Sequence, residues 1–413
     1  MHIVYVSQYF PPEPGAPAAR VSELSRAWAA RGHKVTVLTG MPHHPAGVIP
    51  PEYRGRALVR ERFHDVDVVR TWIYAAANKG KVRRSLAFLS YAASAAAWGQ
   101  LHVDAPDVVV ATSPQLLSAA AGSVLSLTRG APWVFEVRDL WPESIVAVGA
   151  LPARHPVVRG LEVVEEGLYR RADRVVVVTD AFRERLIERG LPASKLAVMK
   201  NGADLSRFVP RGRDTPLRAE LGWQGKTVVS YAGTHGMAHG LDAILDVAKG
   251  LRGRGDLRFL FVGDGAQREA LTKRVEREAI TNVKLLGPVP RDRMTEVYAT
   301  SDVCLVPLRA TALFNTVLPS KLFEIMAMER PVVLSVDGEA RALTEASGAG
   351  LYAPPEDVPA ITEALVALAD DPARREAMGR SGRAFVTAHY DREQIAGRYL
   401  ALLEDLARER RRR

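Results

Sequence analysis

The feature that most constrains the fold is a repeated alternation of short apolar segments with amphipathic segments, joined by loops that contain glycine. In the second half of the chain, KTVVSYA and LRFLFV have the β-branched and aromatic composition of buried strands, and a glycine-containing loop and a helical pattern follow each one. Strands that alternate with helices form parallel sheets with right-handed crossovers. The sequence therefore predicts an α/β protein built from βα units.

The beginning of the chain shows the same pattern. The segment HIVYVS predicts a strand, a helix follows with an apolar stripe of Val21, Leu24 and Trp28, and KVTVLTG predicts a second strand. The loop QYFPPEPGAPAAR follows the first strand at its carboxyl end, where sheets of this kind bind ligands. Gly15 would let a diphosphate or a sugar approach the backbone, or it serves only the turn, since the loop lacks a dinucleotide-binding fingerprint.

A chain of 413 residues is too long for one compact core, and its length suits two domains of about 200 residues each. The segment LAVMKNGADLSRFVPRGRDTP is rich in turn residues, and the βα alternation starts again after it. This places the domain boundary near residue 202. We predict a first domain over 1–201, a second over 202–390, and a terminal helix with a basic tail over 391–413.

The segment PSKLFEIMAMERPVVLS predicts a helix that begins at Pro319, followed by a buried strand. Backbone N–H groups in the first turn of a helix lack an intrahelical partner, so those of Ser320 to Leu322 favour an anion. Lys321 and Glu324 are three residues apart and lie side by side on the helix. The lysine could hold a phosphate and the glutamate a sugar hydroxyl. Alternatively, both are solvated charges of an ordinary βα unit.

Glycine-containing loops follow several strands of the second half. Gly233, Gly236 and Gly240 follow KTVVSYA, and LRFLFV is followed by Gly263. Such loops leave backbone N–H groups accessible to a phosphate. One loop of this kind is weak evidence, but several at corresponding strand ends, together with the helix start at Ser320, predict a nucleotide-sized crevice in the second domain.

A strand of the first half, PWVFEVRD, ends in ionisable residues. Asp139 lies at its carboxyl end and would face a cleft, so we predict that it orients an acceptor hydroxyl or stabilises positive charge on a sugar ring. Arg138 and Glu143 are its candidate partners. The competing interpretation is a structural ion pair between Arg138 and Glu143.

The chain carries a formal net charge of +9 and has a pI of about 9.7, which favours an anionic partner. The helix predicted from KGKVRRSLAFLSYAASAAAWGQL starts with basic residues, including Lys81, Arg83 and Arg84, and its apolar body is too short to span a membrane. It either lies on an anionic membrane surface or is a core helix with a solvated basic flank. No nucleic-acid-binding motif accompanies the basic residues, so we predict no nucleic-acid partner.

The sequence gives little support for metal or redox chemistry. Cys304 is the only cysteine, which excludes an intrachain disulfide, and it lies in an apolar segment. His43 and His44 have no third ligand at a suitable spacing. The chain begins with a strand and not with a leader, so we expect a cytoplasmic protein that needs neither a metal nor a cofactor.

Taken together, these segments resemble the retaining family-four glycosyltransferases of the GT-B fold. The resemblance covers nearly the whole chain and rests on QYFPPEPGAPAAR, RGHKVTVLTG, FEVRDLWPES, KNGADLSRF, YAGTHGMAHGL, VGDG, LLGPVP and PSKLFEIMAMERPVV. FPPEPGAPAAR and VRDLWPES are most similar to bacterial transferases of surface-polysaccharide assembly, including O-antigen, capsule and fucosamine-type enzymes. The resemblance implies two Rossmann-like domains that face each other across a cleft. The first would hold the acceptor and the second the nucleotide sugar, and the last helix would return to the first domain.

The resemblance also implies roles for individual residues. Glu324 would bind the nucleotide ribose, while Ser320, Lys321 and the helix start would hold the diphosphate. Val289 would meet the base through backbone groups, and Gly15 would approach the donor phosphates from the first domain. The full set of predicted donor-binding residues is Gly15, Gly233, Thr234, His235, His239, Gly263, Val289, Thr316, Ser320, Lys321, Leu322 and Glu324. The predicted catalytic residues are Asp139, Arg138 and Lys321.

The sequence departs from the family pattern at two places. Thr316, eight residues before Glu324, stands where the family commonly has a glutamate next to the transferred sugar. His235 and His239 stand where the family commonly has arginine and lysine in the first loop of the second domain. The diphosphate charge must then be met by Lys321, backbone N–H groups, a protonated histidine or a basic residue of the first domain.

The resemblance implies transfer of a sugar, with retention, from a nucleotide-diphosphate donor to a lipid-linked or free saccharide acceptor, and we expect a UDP-sugar. The leaving diphosphate would take the acceptor proton, and stabilising its charge would be the main catalytic contribution. The protein would work at the inner face of the plasma membrane, in peripheral contact with anionic lipid. Two alternatives remain, a nucleotide-sugar epimerase of the same fold and a non-catalytic basic protein that binds a membrane or nucleic acid.

Overall fold

The computed structural model describes residues 1–44, 46–76, 81–113, 115–147, 149 and 151–412, without the side chains of Lys81, Val82 and Arg84. Two of the three basic side chains predicted to meet a membrane, those of Lys81 and Arg84, therefore lie outside the described part. Contacts divide the chain into two compact units. The first unit comprises Met1–Lys200 with Glu393–Arg413, and the second comprises Asn201–Arg392.

The first unit is built on an eight-stranded sheet with the strand order β3-β4-β2-β1-β5-β6-β7-β8. Neighbouring strands are parallel, except for the antiparallel pair β3 and β4. The register places Tyr5 opposite Val37 on one side and Val110 on the other. The strands are β1 (His2–Val6), β2 (Lys34–Gly40), β3 (Leu58–Phe63), β4 (Val66–Thr71), β5 (Val108–Thr112), β6 (Trp133–Val137), β7 (Arg174–Val177) and β8 (Leu196–Val198).

The described residues up to Lys200 form six α-helices, and several of these connect the parallel strands. They are α1 (Ala16–Ala30), α2 (Lys81–His102), α3 (Leu116–Arg129), α4 (Glu143–Ala147), α5 (Pro156–Arg171) and α6 (Asp180–Glu188). The hairpin of β3 and β4 is not expected from the sequence. The segment LVRERF of β3 is partly exposed at the edge of the sheet and lacks the continuous apolar run that marks a central strand.

The second unit is built on a six-stranded, fully parallel sheet with the order β11-β10-β9-β12-β13-β14. Its strands are β9 (Thr227–Ala232), β10 (Leu257–Val262), β11 (Val283–Leu286), β12 (Val303–Pro307), β13 (Val332–Ser335) and β14 (Gly350–Tyr352). Its helices are α7 (Pro216–Glu220), α8 (Leu241–Gly250), α9 (Arg268–Arg277), α10 (Met294–Thr300), α11 (Ser320–Ala327), α12 (Glu339–Ser347), α13 (Val358–Ala369) and α14 (Pro372–His389). The helix predicted to start at Pro319 begins one residue later, and Pro319 is the extended residue before it.

The last helix, α15 (Arg392–Arg411), contributes to the core of the first unit. The Trp28 indole N–H donates to the carbonyl of Ala396 at 3.0 Å, and the rings of Trp28 and Tyr399 meet edge to face with their centroids 5.3 Å apart. Leu403 and Leu406 are buried in the same cluster as Tyr5. The core of the first unit is therefore formed by segments from both ends of the chain.

Each sheet has one strand at which the connections change direction. In the first unit, β1 has β2 on one side and β5 on the other, and in the second unit β9 lies between β10 and β12. At such a point, the loops at the carboxyl ends of the strands diverge and leave a crevice for a ligand. None of the helices in the described ranges is both long enough and apolar enough to cross a membrane.

Candidate functional site

The start of α11 is the centre of the candidate site in the second unit. Among the described residues, the backbone N–H groups of Ser320 and Lys321 have no hydrogen-bond acceptor. The N–H of Leu322 donates to the carbonyl of Pro319 at 3.0 Å and closes the first turn, so the prediction that it is free is wrong. Two N–H groups and the positive end of the helix dipole therefore remain for an anion.

The side chain of Lys321 adds a buried ammonium group to this helix start. Its Nζ lies 4.0 Å from the centroid of the Tyr231 ring and has no hydrogen-bond partner in the part of the chain that the structure describes. Burial lowers the pKa of Lys321 to about 7, and the nearby charge of Glu324 opposes this shift. A buried cation without a partner gains more from an incoming anion than a solvated one does, because water no longer stabilises it.

Gly233 follows β9 and leaves room for this ammonium group. A Cβ atom at Gly233 would lie 2.5 Å from Nζ of Lys321, and the φ of 145° also favours glycine. The hydroxyl of Tyr231 donates to the carbonyl of Thr234 at 2.6 Å and fixes the loop. Gly263 packs against the same loop, since a Cβ there would lie 1.9 Å from the carbonyl oxygen of Gly233. The loops after β9 and β10 therefore meet backbone to backbone beside Lys321.

His235 and His239 flank the ring of Tyr231, with centroid distances of 5.9 and 6.0 Å. Burial lowers the pKa of His235 to about 4 and that of His239 to about 3, and the charge of Lys321 adds to both shifts. Both rings are therefore neutral at pH 7 in the ligand-free chain. Of the options for balancing a diphosphate charge, these low pKa values argue against a histidine that is protonated before the ligand binds, whereas Lys321, the N–H groups of the helix start and a basic residue of the first domain remain.

Glu324 lies on the same helix as Lys321 but has its own partners. Its carboxylate accepts hydrogen bonds from the Tyr298 hydroxyl at 3.2 Å and from the Arg291 guanidinium at 3.4 Å. Burial raises the pKa of Glu324, and Arg291 and Tyr298 oppose this rise. The carboxylate is thus held in place with lone pairs left for a sugar hydroxyl. Val289, half-buried, lies in the loop that leads to Arg291.

Thr316 occupies a short 3-10 turn, Phe314–Thr316, that precedes α11. Its hydroxyl donates to the carbonyl of Leu313 at 2.6 Å. The loop that begins α12 packs against this turn, because a Cβ at Gly338 would lie 1.9 Å from the carbonyl oxygen of Asn315. The proton of the Thr316 hydroxyl is therefore already used within the protein, and only its lone pairs remain for a ligand.

The second unit thus brings most of the predicted donor-binding residues into one region. Contacts connect residues of the loop after β9, the loop after β10 and the start of α11: Gly233, Thr234, His235, His239, Gly263 and Lys321. Gly15 belongs to the first unit, where it caps α1 with a φ of 114° and its carbonyl accepts from the N–H of Ala19 at 3.1 Å.

The first unit contains a buried polar network that sequence analysis missed. Glu136, the fourth residue of β6, is fully buried and accepts hydrogen bonds from the Tyr5 hydroxyl at 2.8 Å and the Thr112 hydroxyl at 2.9 Å. The Arg20 guanidinium forms an ion pair with the same carboxylate at 3.0 Å. A glutamate inside the apolar strand WVFEV could have indicated such a network, because a buried carboxylate requires partners.

Asp139 follows this strand in a short turn. The hydroxyl oxygen of Ser113 accepts from the N–H of Arg138 at 2.7 Å and from that of Asp139 at 3.3 Å. Burial raises the pKa of Asp139 to about 6, although hydrogen bonds from Ser144 and the Leu140 N–H oppose the rise. Asp139 thus titrates near neutrality, a property expected of a group that orients or exchanges a proton.

The structure contradicts the structural ion pair of Arg138 with Glu143. Glu143 forms two hydrogen bonds with the guanidinium of Arg185, one of them at 3.1 Å from Nε. Arg138 therefore keeps a charge that no carboxylate of the described residues pairs with. This pair was the competing interpretation of the two residues, but the turn after β6 directs Glu143 towards Arg185 of α6 instead.

Glu13 is a second polar residue that sequence analysis missed. Its carboxylate accepts the backbone N–H groups of Phe10, His43 and His44 at 3.4, 3.0 and 2.9 Å. Burial raises its pKa to about 7, and these bonds oppose the rise. Glu13 thus ties the loop after β2 to the loop after β1. Among the described residues no cluster of histidine, cysteine, aspartate or glutamate side chains is suited to a metal ion.

Comparison with known proteins identifies the family of the chain. Residues 15–202 match the family described as "Glycosyl transferase 4-like domain", and residues 226–371 match "Glycosyl transferases group 1". WcaI of Escherichia coli K12, by name a colanic acid biosynthesis glycosyl transferase, is 26% identical over 377 residues, which cover 88% of this chain and 90% of that protein. WbjE of Pseudomonas aeruginosa, by name a glycosyltransferase, is 27% identical over 262 residues, covering 63% of this chain and 65% of that protein.

The fold also matches solved structures. HepE of Anabaena, crystallised in complex with UDP-glucose, aligns with a TM-score of 0.75 at 17% identity, over 98% of this chain and 100% of that chain. Two Rossmann-like α/β units with this similarity define the GT-B fold. The two family matches, which together span most of the sequence, then give the identification. The chain belongs to the family-four glycosyltransferases.

Proposed function

We propose that the protein transfers a sugar, with retention, from a UDP-sugar to a saccharide acceptor linked to a lipid. The observation that carries the donor assignment is the start of α11, where Lys321 offers an unpaired buried ammonium group beside two free backbone N–H groups. Glu324 lies one turn further on, held by Tyr298. This spacing suits a diphosphate followed by a ribose. The structural similarity to HepE, which was solved with UDP-glucose, supports the same assignment.

The chemistry follows from these charges. The bond between the anomeric carbon and the diphosphate oxygen breaks while the acceptor oxygen bonds the same face of that carbon, and the acceptor proton passes to the leaving diphosphate. Negative charge therefore grows on the diphosphate in the transition state. Lys321 and the N–H groups of α11 are fixed in advance and stabilise that charge most when it is largest, which lowers the barrier.

Asp139 in the first unit is proposed to orient the acceptor hydroxyl. It follows β6 at the carboxyl edge of the sheet, and its pKa of about 6 leaves it ionised at pH 7 but close to titration. The relatives support an acceptor in bacterial polysaccharide assembly, because WcaI is named for colanic acid biosynthesis. Such polysaccharides would be built on a lipid carrier at the inner face of the plasma membrane.

Exposed apolar side chains support peripheral contact with that membrane. Trp72 and Tyr74 are 47% and 40% exposed, and Leu86 and Leu89 on α2 are 46% and 53% exposed. The N–H of Tyr74 donates to the hydroxyl of Ser90 at 2.9 Å, which places this segment beside the first half of α2. Aromatic and leucine side chains next to a basic helix start are suited to the interface of an anionic bilayer.

The donor assignment is tested by thermal unfolding with and without UDP. UDP should raise the melting temperature of the natural chain and of Lys273→Met, an exposed lysine paired with Glu269, but not that of Lys321→Met. In parallel, each UDP-sugar is incubated with and without a lipid-linked saccharide, and UDP release is measured. Release that does not depend on the acceptor, or an equal response of both variants to UDP, would contradict the proposal.

Membrane contact is tested by flotation with liposomes that contain anionic lipid. Leu86→Glu and Leu89→Glu should reduce the bound fraction several-fold, because each puts a negative charge in the proposed contact. Leu101→Glu is a matched control at the other end of α2, where the leucine is 72% exposed. An equal loss of binding in the control variant would show that overall charge, not this face, determines binding.

A further inference from the structure

We propose that the first unit carries an anion site of its own at Arg138, which holds a phosphate or diphosphate group of the acceptor. The inference rests on the proposed function, since it specifies the acceptor of that same transfer. It starts from side chains that the donor site in the second unit does not involve.

Arg138 is a cation that forms no ion pair among the described residues. Its Nε and Nη1 atoms are buried, and neither has a hydrogen-bond partner among the described residues. Of the nearby carboxylates, Glu136 pairs with Arg20 and Glu143 with Arg185, and the charges of Glu136 and Asp139 attract Arg138 without an ion pair among the described residues. Burial lowers the pKa of Arg138, and Glu136 opposes this. An arginine stays protonated even so, and a guanidinium that has lost its water without gaining an acceptor is unfavourable until an anion arrives.

Two residues that follow strands at the same edge of the sheet supply further donors. Gln8, just after β1, is 1% exposed, and both polar atoms of its side chain lack partners in the described part of the chain. Ser113, just after β5, accepts two backbone N–H groups through its hydroxyl oxygen, and its own proton has no acceptor among the described residues. An amide, a hydroxyl and a guanidinium are together a donor set that suits phosphate oxygens.

The topology explains why these residues occur together. They follow β1, β5 and β6, which are adjacent strands, and they lie at the same edge of the sheet. The connections of the first sheet change direction between β1 and β5, so the loops diverge there. In a crevice with only a structural role, buried polar groups would be hydrogen-bonded to one another, whereas these atoms of Gln8 and Arg138 have no partner among the described residues.

The acceptor is the natural source of the anion. Lys321 and two N–H groups already serve a diphosphate in the second unit. Arg138 is the neighbour of Asp139, the residue proposed to orient the acceptor hydroxyl. The two adjacent side chains would therefore hold the phosphate and the reacting hydroxyl of one molecule. A saccharide linked to a lipid through a diphosphate has both groups.

The first experiment measures binding alone, with inorganic pyrophosphate as the probe and the full chain carrying Lys321→Met to silence the second unit. Pyrophosphate should still bind this variant, and adding Arg138→Met should weaken binding at least tenfold by calorimetry. Arg183→Met, an exposed arginine paired with Glu184, is the matched control and should change nothing. Without pyrophosphate, Arg138→Met should unfold at the same or a higher temperature, whereas a structural arginine would lower it.

The second experiment identifies the source of the phosphate. Arg138→Met should raise the KM for a diphosphate-linked acceptor at least tenfold and leave the KM for the UDP-sugar and for an uncharged glycoside acceptor within twofold. Three results would each overturn the inference. The first is a rise in the KM for the donor alone, and the second is pyrophosphate binding that Arg138→Met does not change. The third is an unfolding temperature that Arg138→Met lowers and Arg138→Lys restores, without restored binding. The pyrophosphate measurement needs no turnover, so absence of transfer would count against the proposed function and not against this site.

Discussion

Glu136 in the first unit and Lys321 in the second are both buried charged residues, but their surroundings differ. Glu136 accepts from Tyr5, Thr112 and Arg20, so its charge is fully balanced inside the protein. The ammonium group of Lys321 lies over the Tyr231 ring and has no hydrogen-bond partner among the described residues. The difference supports the proposal that the first charge holds the fold together, whereas the second is kept unpaired for a ligand.

The largest expected effect is the loss of stability when the ion pair of Arg20 and Glu136 is broken. Arg20→Met leaves the carboxylate of Glu136 buried without its cation and should lower the free energy of unfolding by about 3–5 kcal/mol. Denaturant titration measures this loss. Lys321→Met removes a cation that has no partner, so its free energy of unfolding should stay the same or rise. Equal destabilisation of the two variants would remove the distinction between them.

The next effect concerns turnover. Lys321→Met should lower kcat about 10²–10³-fold, the range seen when one fixed donor to a developing charge is removed. Arg20→Met, measured at a temperature where it is folded, should retain most of its kcat because its guanidinium is engaged by Glu136. Steady-state kinetics with saturating UDP-sugar provide the measurement. A greater loss of kcat in Arg20→Met would reverse the assignment.

Gly233→Ala tests the surroundings of Lys321, because Gly233 lies next to the ammonium group of that lysine. The added Cβ would lie 2.5 Å from Nζ, at a φ of 145°, and we expect a loss of about 1–3 kcal/mol in unfolding free energy. Gly222→Ala is the control, since its φ is also positive but nothing lies within 4 Å of the added atom. The control should lose less, and similar losses would show that backbone strain alone accounts for the effect.

The smallest expected effects are two pH dependences of opposite sign, one of the stability of the ligand-free chain and one of its affinity for UDP. The pKa of Lys321 is lowered from its ordinary 10.5 to about 7, so above pH 7 the unfolded chain binds the proton that the folded chain has lost. Stability without ligand should therefore rise with pH from about 7, while UDP affinity falls by up to about tenfold per pH unit. Calorimetry over this range checks both, and Lys321→Met should show neither trend.

Sequence analysis found the regular parts of the fold because they leave local signals. Apolar strands alternate with helices along the whole chain, and the start of α11 is visible in PSKLFEI. It could not find the partner of Glu136, because Arg20 lies 116 residues away in the sequence. The neutral state of His235 and His239 is equally hidden, because it depends on burial by residues from separate loops.

The hydrogen bond from Trp28 to Ala396 and the packing of Tyr399 have a consequence for how this protein is made and can be recombined. During synthesis, the first unit must wait for the ribosome to pass through the entire second unit before α15 can close its core. The second unit, Asn201–Arg392, is continuous and needs no such delay. A chimera that exchanges the first unit with a relative must therefore exchange both terminal segments together.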